Sequence, residues 1–142
     1  MTIWFDMDGT FVDLYGVDGW LNDLLTECAR PYLEARPLLH LATFARLLHK
    51  AQAKGYKIGV VSWLAKNATA EFDADVTSAK LAWLAKHLPS VEWDRIDILP
   101  YGTYKEIGRT GILFDDEEPN RRYWNGMAYT PQVIFEVLGH LE

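Results

Sequence analysis

Two aspartates separated by one residue stand near the start of the chain. Asp6 and Asp8 follow the apolar run Ile3–Phe5 and precede Gly9 and Thr10. A carboxylate can attack phosphorus and form an aspartyl phosphate, which divides hydrolysis into two displacements. A second carboxyl nearby can protonate the leaving oxygen and later take a proton from water. Asp6 is therefore the candidate nucleophile and Asp8 the candidate acid/base, and glycine at position 9 permits the turn that brings them together.

A second pair of acids, Asp115 and Asp116, follows the apolar run Gly111–Phe114. Clustered carboxylates repel one another, which either raises a pKa or recruits a divalent cation. Mg²⁺ prefers oxygen ligands and binds through one or two carboxylates while keeping water or phosphate oxygens as its other ligands. We therefore predict a Mg²⁺ cofactor. Its ligands are expected among Asp6, Asp8, Asp115 and Asp116, and the choice between Asp115 and Asp116 stays open.

A transferring phosphoryl group also needs a hydroxyl donor and a cation to bind the charge on its oxygens. Ser62 follows the apolar run Ile58–Val61, and Lys105 lies in a polar segment before the second acid pair. These two residues are the candidates for phosphate binding, and Lys80 and Lys66 are rivals for the role of the cation.

Three aromatic residues lie beside these segments, namely Phe11, Trp20 and Trp63. Flat apolar side chains at the edge of a cleft can stack on a base, although aromatic residues also serve as ordinary core. We assign all three to substrate binding as a hypothesis.

The elements that must position these residues alternate along the chain. Apolar runs predict strands over residues 3–5, 57–61, 96–99, 111–114 and 127–129. Apolar residues at helical spacing predict helices over residues 17–30, 37–54, 75–87 and 131–141. Alternating strands and helices form a doubly wound, mainly parallel α/β sheet, in which ligands bind outside the carboxyl ends of the strands. The candidate residues follow three of these strands, so we expect them to converge.

Composition limits the classes of function. The 142 residues are 49% hydrophobic and 24% charged, which suits one domain, and the formal charge of −6 argues against binding long nucleic acid. Cys28 is the only cysteine, so the chain has no internal disulfide, and we expect Cys28 to be a core residue. No apolar run has the length of a membrane span. These features predict a cytoplasmic protein that binds small phosphorylated molecules.

The string Asp6-Met7-Asp8-Gly9-Thr10-Phe11-Val12-Asp13 resembles the first motif of the haloacid-dehalogenase (HAD) superfamily. Ser62 resembles its second motif, Lys105 its third, and Phe114-Asp115-Asp116 its fourth, in the family's order. The resemblance implies a single HAD-like Rossmannoid domain over residues 1–142, with a small helical cap insert at about residues 13–37. It also implies that Asp6 is the nucleophile, that Asp8 is the acid/base, and that Ser62 and Lys105 hold phosphate. We assign Gly9 and Thr10 to phosphate binding as well.

Within the superfamily, Lys80-Leu81-Ala82-Trp83-Leu84 and His87-Leu88-Pro89 are most similar to the 5'(3')-deoxyribonucleotidase branch. This likeness implies a phosphohydrolase acting on a nucleoside monophosphate or another small phosphomonoester. The insert is shorter than the cap of those nucleotidases, so two alternatives stay open. One is a protein that sequesters a nucleotide in the same pocket, and the other is a phosphatase of nucleic-acid ends. Because the cap is short, a homo-oligomer in which a partner subunit covers the site also stays open.

Overall fold

The computed structural model describes residues 1–142. Its strands are β1 (Thr2–Phe5), β2 (Val12–Asp13), β3 (Arg36–Pro37), β4 (Lys57–Trp63), β5 (Arg95–Leu99), β6 (Gly111–Phe114) and β7 (Gly126–Tyr129). Its helices are α1 (Trp20–Leu25), α2 (Arg30–Glu34), α3 (Leu41–Ala53), α4 (Ala70–His87), α5 (Glu118–Arg122) and α6 (Ile134–Gly139). Short 3-10 turns occupy Leu14–Gly16 and Pro131–Val133. No helix is long and apolar enough to cross a membrane.

The main sheet has five strands in the order β5-β4-β1-β6-β7, and every neighbouring pair is parallel. β1 lies at the centre, where Ile3 is paired with Ile58 of β4 on one side and with Ile112 of β6 on the other. The residues of β1 and β6 and most of those of β4 are buried and mainly apolar, as in a parallel sheet that is covered on both faces. This arrangement confirms the predicted α/β fold class and all five predicted strands of the sheet.

The helices differ from prediction mainly at their starts. α3 begins at Leu41, where the side chain of His40 accepts the Thr43 N–H, and not at Pro37. α4 begins at Ala70, several residues before the predicted start, because the Thr69 hydroxyl accepts the Phe72 N–H at 3.1 Å and caps the helix. The last predicted helix opens with a 3-10 turn and ends at Gly139.

The insert is where the predicted secondary structure is wrong. The pattern over residues 17–30 predicted one helix, but α1 ends at Leu25 and Glu27 takes a left-handed conformation with φ of 56°. A new helix, α2, then begins at Arg30 with Pro31 in its first turn, a position that suits proline. Cys28 lies in this break and is exposed, so the prediction of a core cysteine is also wrong.

A two-stranded antiparallel ladder that the sequence did not predict joins the two ends of the insert. Val12 pairs with Pro37, and Asp13 pairs with Arg36. Each strand has only two residues, which is too short to produce an alternating pattern. The ladder brings residues 12 and 37 together, so the segment between them leaves and re-enters the domain at one place.

Candidate active site

The loop after β1 is a tight turn around one carbonyl. The N–H groups of Thr10, Phe11 and Val12 all donate to the Met7 carbonyl, at 3.0, 3.1 and 3.1 Å. Gly9 has φ of 82°, and a Cβ at this position would collide with the carboxylate of Asp116. Only glycine combines that conformation with so close an approach. The turn directs both Asp6 and Asp8 into one cavity, as predicted from their spacing.

Lys105 lies against the carboxylate of Asp6. Its Nζ donates to Asp6 Oδ1 at 2.9 Å and to Asp115 Oδ2 at 2.7 Å, and its side chain is 2% exposed. Burial alone would lower the pKa of Lys105, but the two carboxylates outweigh burial and hold this pKa above its usual value. The lysine therefore stays charged and stabilises two buried carboxylates at once. Thr10 Oγ donates to the other oxygen of Asp6 at 3.1 Å.

Asp6, Asp115 and Asp116 converge at the edge of the sheet. One carboxylate oxygen from each lies within 4.8 Å of the others. Desolvation and the neighbouring Asp6 charge raise the pKa of Asp115 to about 6 and that of Asp116 to about 8. Carboxylates that repel one another in this way form a donor set that suits a divalent cation with oxygen ligands.

The two paired acids differ in how their oxygens are used. Asp115 is fully buried, and its oxygens accept the Glu117 N–H at 2.9 Å, the Asn120 side-chain amide at 3.2 Å and Lys105. Asp116 accepts only one long hydrogen bond of 3.4 Å, from Thr10 Oγ. Asp116 therefore has the freer oxygens. Asn120 was not predicted to support this site, because an asparagine at the start of a helix carries no distinctive spacing.

Asp8 is held by a different lysine. Lys80 Nζ donates to Asp8 Oδ2 at 2.9 Å and to Ser62 Oγ at 2.6 Å. Burial raises the pKa of Asp8, and Lys80 offsets part of that rise. The Asp8 carboxylate lies outside the group of three acids that converge, so the geometry favours the other three predicted acids as metal ligands. Lys80 and Lys105 are not rivals in the structure, because each pairs with one of the two loop acids.

Ser62 lies deeper than predicted. β4 continues through Trp63, so Ser62 belongs to the strand and not to a loop after it. The serine is 1% exposed, and the only hydrogen-bond partner of its hydroxyl is Lys80. Ser62 does not line the cavity, and its place in the site is behind the Lys80 ammonium.

A cavity of about 470 Å³ opens above these groups. Asp6, Asp8, Lys105 and Asp115 form its polar floor. Its walls are apolar and aromatic, and its aromatic lining residues are Tyr15, Trp20, Tyr32, Trp63, Phe72 and Tyr101. α1 of the insert supplies one wall, and the ends of β4 and β5 supply the other. The cavity therefore joins a charged floor to walls suited to a flat or apolar group.

The predicted aromatic residues divide between this cavity and the core. Trp20 and Trp63 line the cavity, and Trp63 is tilted against Tyr101 with ring centroids 5.2 Å apart. Phe11 is 0% exposed and packs against Phe44 and Trp83, so its predicted contact with substrate is wrong. The tight turn around Met7 rotates Phe11 into the core. Tyr101 was not predicted as a site residue, although it lies two residues after the end of β5.

No known protein-family profile matches the chain. No curated protein matches it in sequence. Among solved structures, the chain is similar to the crystal structure of D,D-heptose 1,7-bisphosphate phosphatase from Burkholderia thailandensis, with a TM-score of 0.51. The match has 14% sequence identity and covers 85% of this chain and 69% of the other. The likeness shows a shared fold, a mainly parallel α/β sheet, in agreement with the predicted fold class.

Proposed function

We propose that this chain is a magnesium-dependent phosphomonoester hydrolase that acts through an aspartyl phosphate on Asp6. The observation that carries the proposal is the pair Asp6 and Asp8 on the floor of one cavity, each bonded to its own buried lysine. A binding protein would need neither a nucleophile nor an acid/base there. The similar fold of a phosphatase supports the same class of reaction.

The two carboxylates have separate roles in the proposed reaction. An oxygen of Asp6 attacks phosphorus, the bond from phosphorus to the leaving oxygen breaks, and Asp8 gives that oxygen a proton. Asp8 then takes a proton from water, which attacks the phosphoryl group and releases phosphate and Asp6. The Lys105 ammonium donates to Asp6 Oδ1 and so fixes the direction of the proposed nucleophile.

The residues present fit Mg²⁺. Four carboxylates face two ammonium groups in this site, so full ionisation leaves two negative charges for a divalent cation to balance. We assign the metal to Asp6 and Asp116, with Asp115 as a further ligand or a support, because Asp116 has the freer oxygens. When bound, Mg²⁺ would neutralise charge on the phosphoryl oxygens.

We propose that the substrate is a nucleoside monophosphate or another small phosphomonoester with a flat leaving group. The aromatic walls support a stacked base, with Trp20 on the insert side and Trp63 on the strand side. The solved neighbour is a D,D-heptose 1,7-bisphosphate phosphatase. In this chain Lys66 is the only cation that lines the cavity besides Lys105, which favours a substrate with one phosphate.

The test is a phosphatase screen with Mg²⁺ and with a chelator, over nucleoside monophosphates, sugar phosphates and 5'-phosphorylated oligonucleotides. Asp6→Asn should lower kcat by at least about 10³-fold without unfolding the chain, because the nucleophile is lost. Asp75→Asn, an exposed acid on α4, is the matched control and should keep full activity. Borohydride reduction during turnover should convert Asp6 to homoserine.

Several results would contradict the proposal. Undiminished hydrolysis by the Asp6→Asn variant would rule out the proposed attack by Asp6. Nucleotide bound and recovered unchanged after long incubation with Mg²⁺ would favour sequestration. Hydrolysis of oligonucleotide ends in preference to mononucleotides would show that the substrate is the phosphorylated end of a nucleic acid.

A further inference from the structure

Lys80 is an ammonium group buried in the middle of an otherwise apolar helix face. Its side chain is 1% exposed, and the other buried residues of α4 are Phe72, Val76, Ala79, Trp83 and Leu84. Taking a charge out of water costs free energy unless its hydrogen bonds and its charge are compensated. A methionine or leucine would fill the same space without that cost. The lysine therefore calls for an explanation beyond packing.

All three donors of this ammonium have partners. Besides Asp8 Oδ2 at 2.9 Å and Ser62 Oγ at 2.6 Å, it donates to the Trp63 carbonyl at 2.8 Å. It also lies 5.4 Å from the centre of the Tyr32 ring. An ammonium has three N–H donors and no acceptor, so Lys80 has none left for a phosphate oxygen. It can therefore act on the reaction only through the groups that it holds.

Two of the three partners are on a rigid element, and the third is on a loop. Ser62 and Trp63 are the last two residues of β4, inside the central part of the sheet. Asp8 is on the turn after β1, and its side chain is 15% exposed to the cavity. Lys80 thus connects the Asp8 carboxylate to the end of β4. One oxygen of that carboxylate is fixed, and the other, Oδ1, has no protein partner and can exchange a proton with the substrate.

We propose that Lys80 is a positioning residue that aims the Asp8 carboxyl at the leaving oxygen. This inference rests on the proposed function and adds a residue to it. Ser62 then serves first as an anchor for Lys80, which explains its burial behind the ammonium. Loss of Lys80 leaves Asp8 present but free to rotate, so its proton no longer reaches the leaving oxygen in the right geometry.

The proposal makes the effect of Lys80 depend on the leaving group. When the bond between phosphorus and the leaving oxygen breaks, 4-nitrophenolate departs as a stable anion without a proton. A benzyl alkoxide of similar size departs only as it takes the proton from Asp8. Loss of a residue that acts through Asp8 therefore slows the hydrolysis of benzyl phosphate and hardly changes that of 4-nitrophenyl phosphate. A residue that only supports the fold, or that binds phosphate, affects both alike.

The experiment compares kcat/KM for benzyl phosphate and 4-nitrophenyl phosphate, since this ratio reports the first phosphoryl transfer. Lys80→Met should lower it by about 10²-fold for benzyl phosphate and by less than about fivefold for 4-nitrophenyl phosphate. Lys86→Met, an exposed lysine on the same helix, should change neither value. In an Asp8→Asn background, Lys80→Met should add little for benzyl phosphate, because both changes remove the same proton transfer.

Equal losses for the two substrates would overturn the inference, and so would a full additional loss in the Asp8→Asn background. Lys80→Gln, which keeps a donor of similar length, gives the same comparison if the methionine variant is recovered unfolded. The proposed function is judged separately. If Asp6→Asn abolishes both activities while Lys80→Met lowers both equally, only the role of Lys80 is wrong. If the wild-type chain hydrolyses neither these two substrates nor any ester of the phosphatase screen, the proposed function and this inference are both wrong.

Discussion

The floor of the cavity buries charged side chains in pairs, whereas the insert above it exposes apolar ones. Lys80 and Lys105 are at most 2% exposed, and their ammonium groups donate to Asp8 and to Asp6 and Asp115, respectively. In α1, by contrast, no residue is buried, and Leu21 and Leu25 are 54% and 75% exposed. The chemistry is therefore fixed by the folded chain, and the wall of the cavity is only half packed. Contact with the apolar part of a substrate would complete the packing of that wall.

Lys105→Met is the most severe change to the fixed floor. It leaves Asp6 and Asp115 buried without their cation, and removing one partner of a buried pair lowers the free energy of unfolding by about 3 kcal/mol. We also expect kcat to fall at least about 10²-fold, because the charge beside the nucleophile is lost. Urea unfolding and steady-state kinetics measure the two effects. Lys50→Met, on the exposed side of α3, is the control and should change neither.

Asp115 and Asp116 also predict how the stability of the folded chain depends on pH. In the metal-free chain the pKa values of Asp115 and Asp116 are raised to about 6 and about 8. A raised carboxyl pKa stabilises the folded chain at low pH, and that stability is lost as the pH rises through the folded value. The Tm in chelator should therefore fall between pH 5 and pH 8, and Mg²⁺ should raise it more at pH 8. An equal Mg²⁺ effect at both pH values would contradict this prediction.

The proposed stacking of a base against the walls of the cavity is tested by Trp20→Ala and Trp63→Ala. Stacking of a base on an aromatic side chain contributes about 1–3 kcal/mol, so each change should raise KM for a nucleoside monophosphate by about tenfold. KM for a small alkyl phosphate without a ring should stay nearly constant. Leu33→Ala removes an exposed apolar residue that does not line the cavity, and it should leave both KM values unchanged. An equal rise in KM for both substrates would show that the two tryptophans do not bind the leaving group.

The smallest effect is expected at the connection between the insert and the domain. The Glu27 carboxylate accepts the Thr69 N–H at 3.0 Å and the Thr69 hydroxyl at 2.8 Å, and so ties the α1–α2 break to the start of α4. Glu27→Ala should lower the free energy of unfolding by less than about 1 kcal/mol, since these bonds are exposed. KM for the nucleotide should rise about two- to threefold, with kcat unchanged. Glu92→Ala, at another exposed glutamate, is the comparison.

The difference between the two regions also explains what could be predicted from the sequence. Asp6, Asp8, Asp115 and Asp116 were found because apolar strands of a parallel sheet end on the same side, so residues after them converge. The fold class followed from the same alternation. The sequence leaves Lys80 and Lys105 as rivals because helical spacing does not show that Lys80 points inward. The burial of Lys80 is visible only in the fold, where its ammonium lies against Ser62 and the Trp63 carbonyl at the end of β4.

The insert was less predictable for a physical reason. An exposed helix such as α1 has apolar residues at the same spacing as a packed one, so the pattern over residues 17–30 did not reveal the break at Glu27. Phe11 was misplaced because its direction depends on three amides that share the Met7 carbonyl. That turn is a property of the backbone and leaves no mark in the pattern of hydrophobic residues.

The central position of β1 has a consequence for the order in which the protein is made. Thr2–Phe5 is synthesised before both of its neighbours in the sheet, β4 and β6. Such non-local pairing makes folding slow, and a chain that emerges from the ribosome cannot complete its sheet until β6 is available. Asp6 is thus translated before Lys105, Asp115 and Asp116. A nascent chain that ends before β6 would contain Asp6 without Asp115 and Asp116, so the metal site proposed above could not form in it.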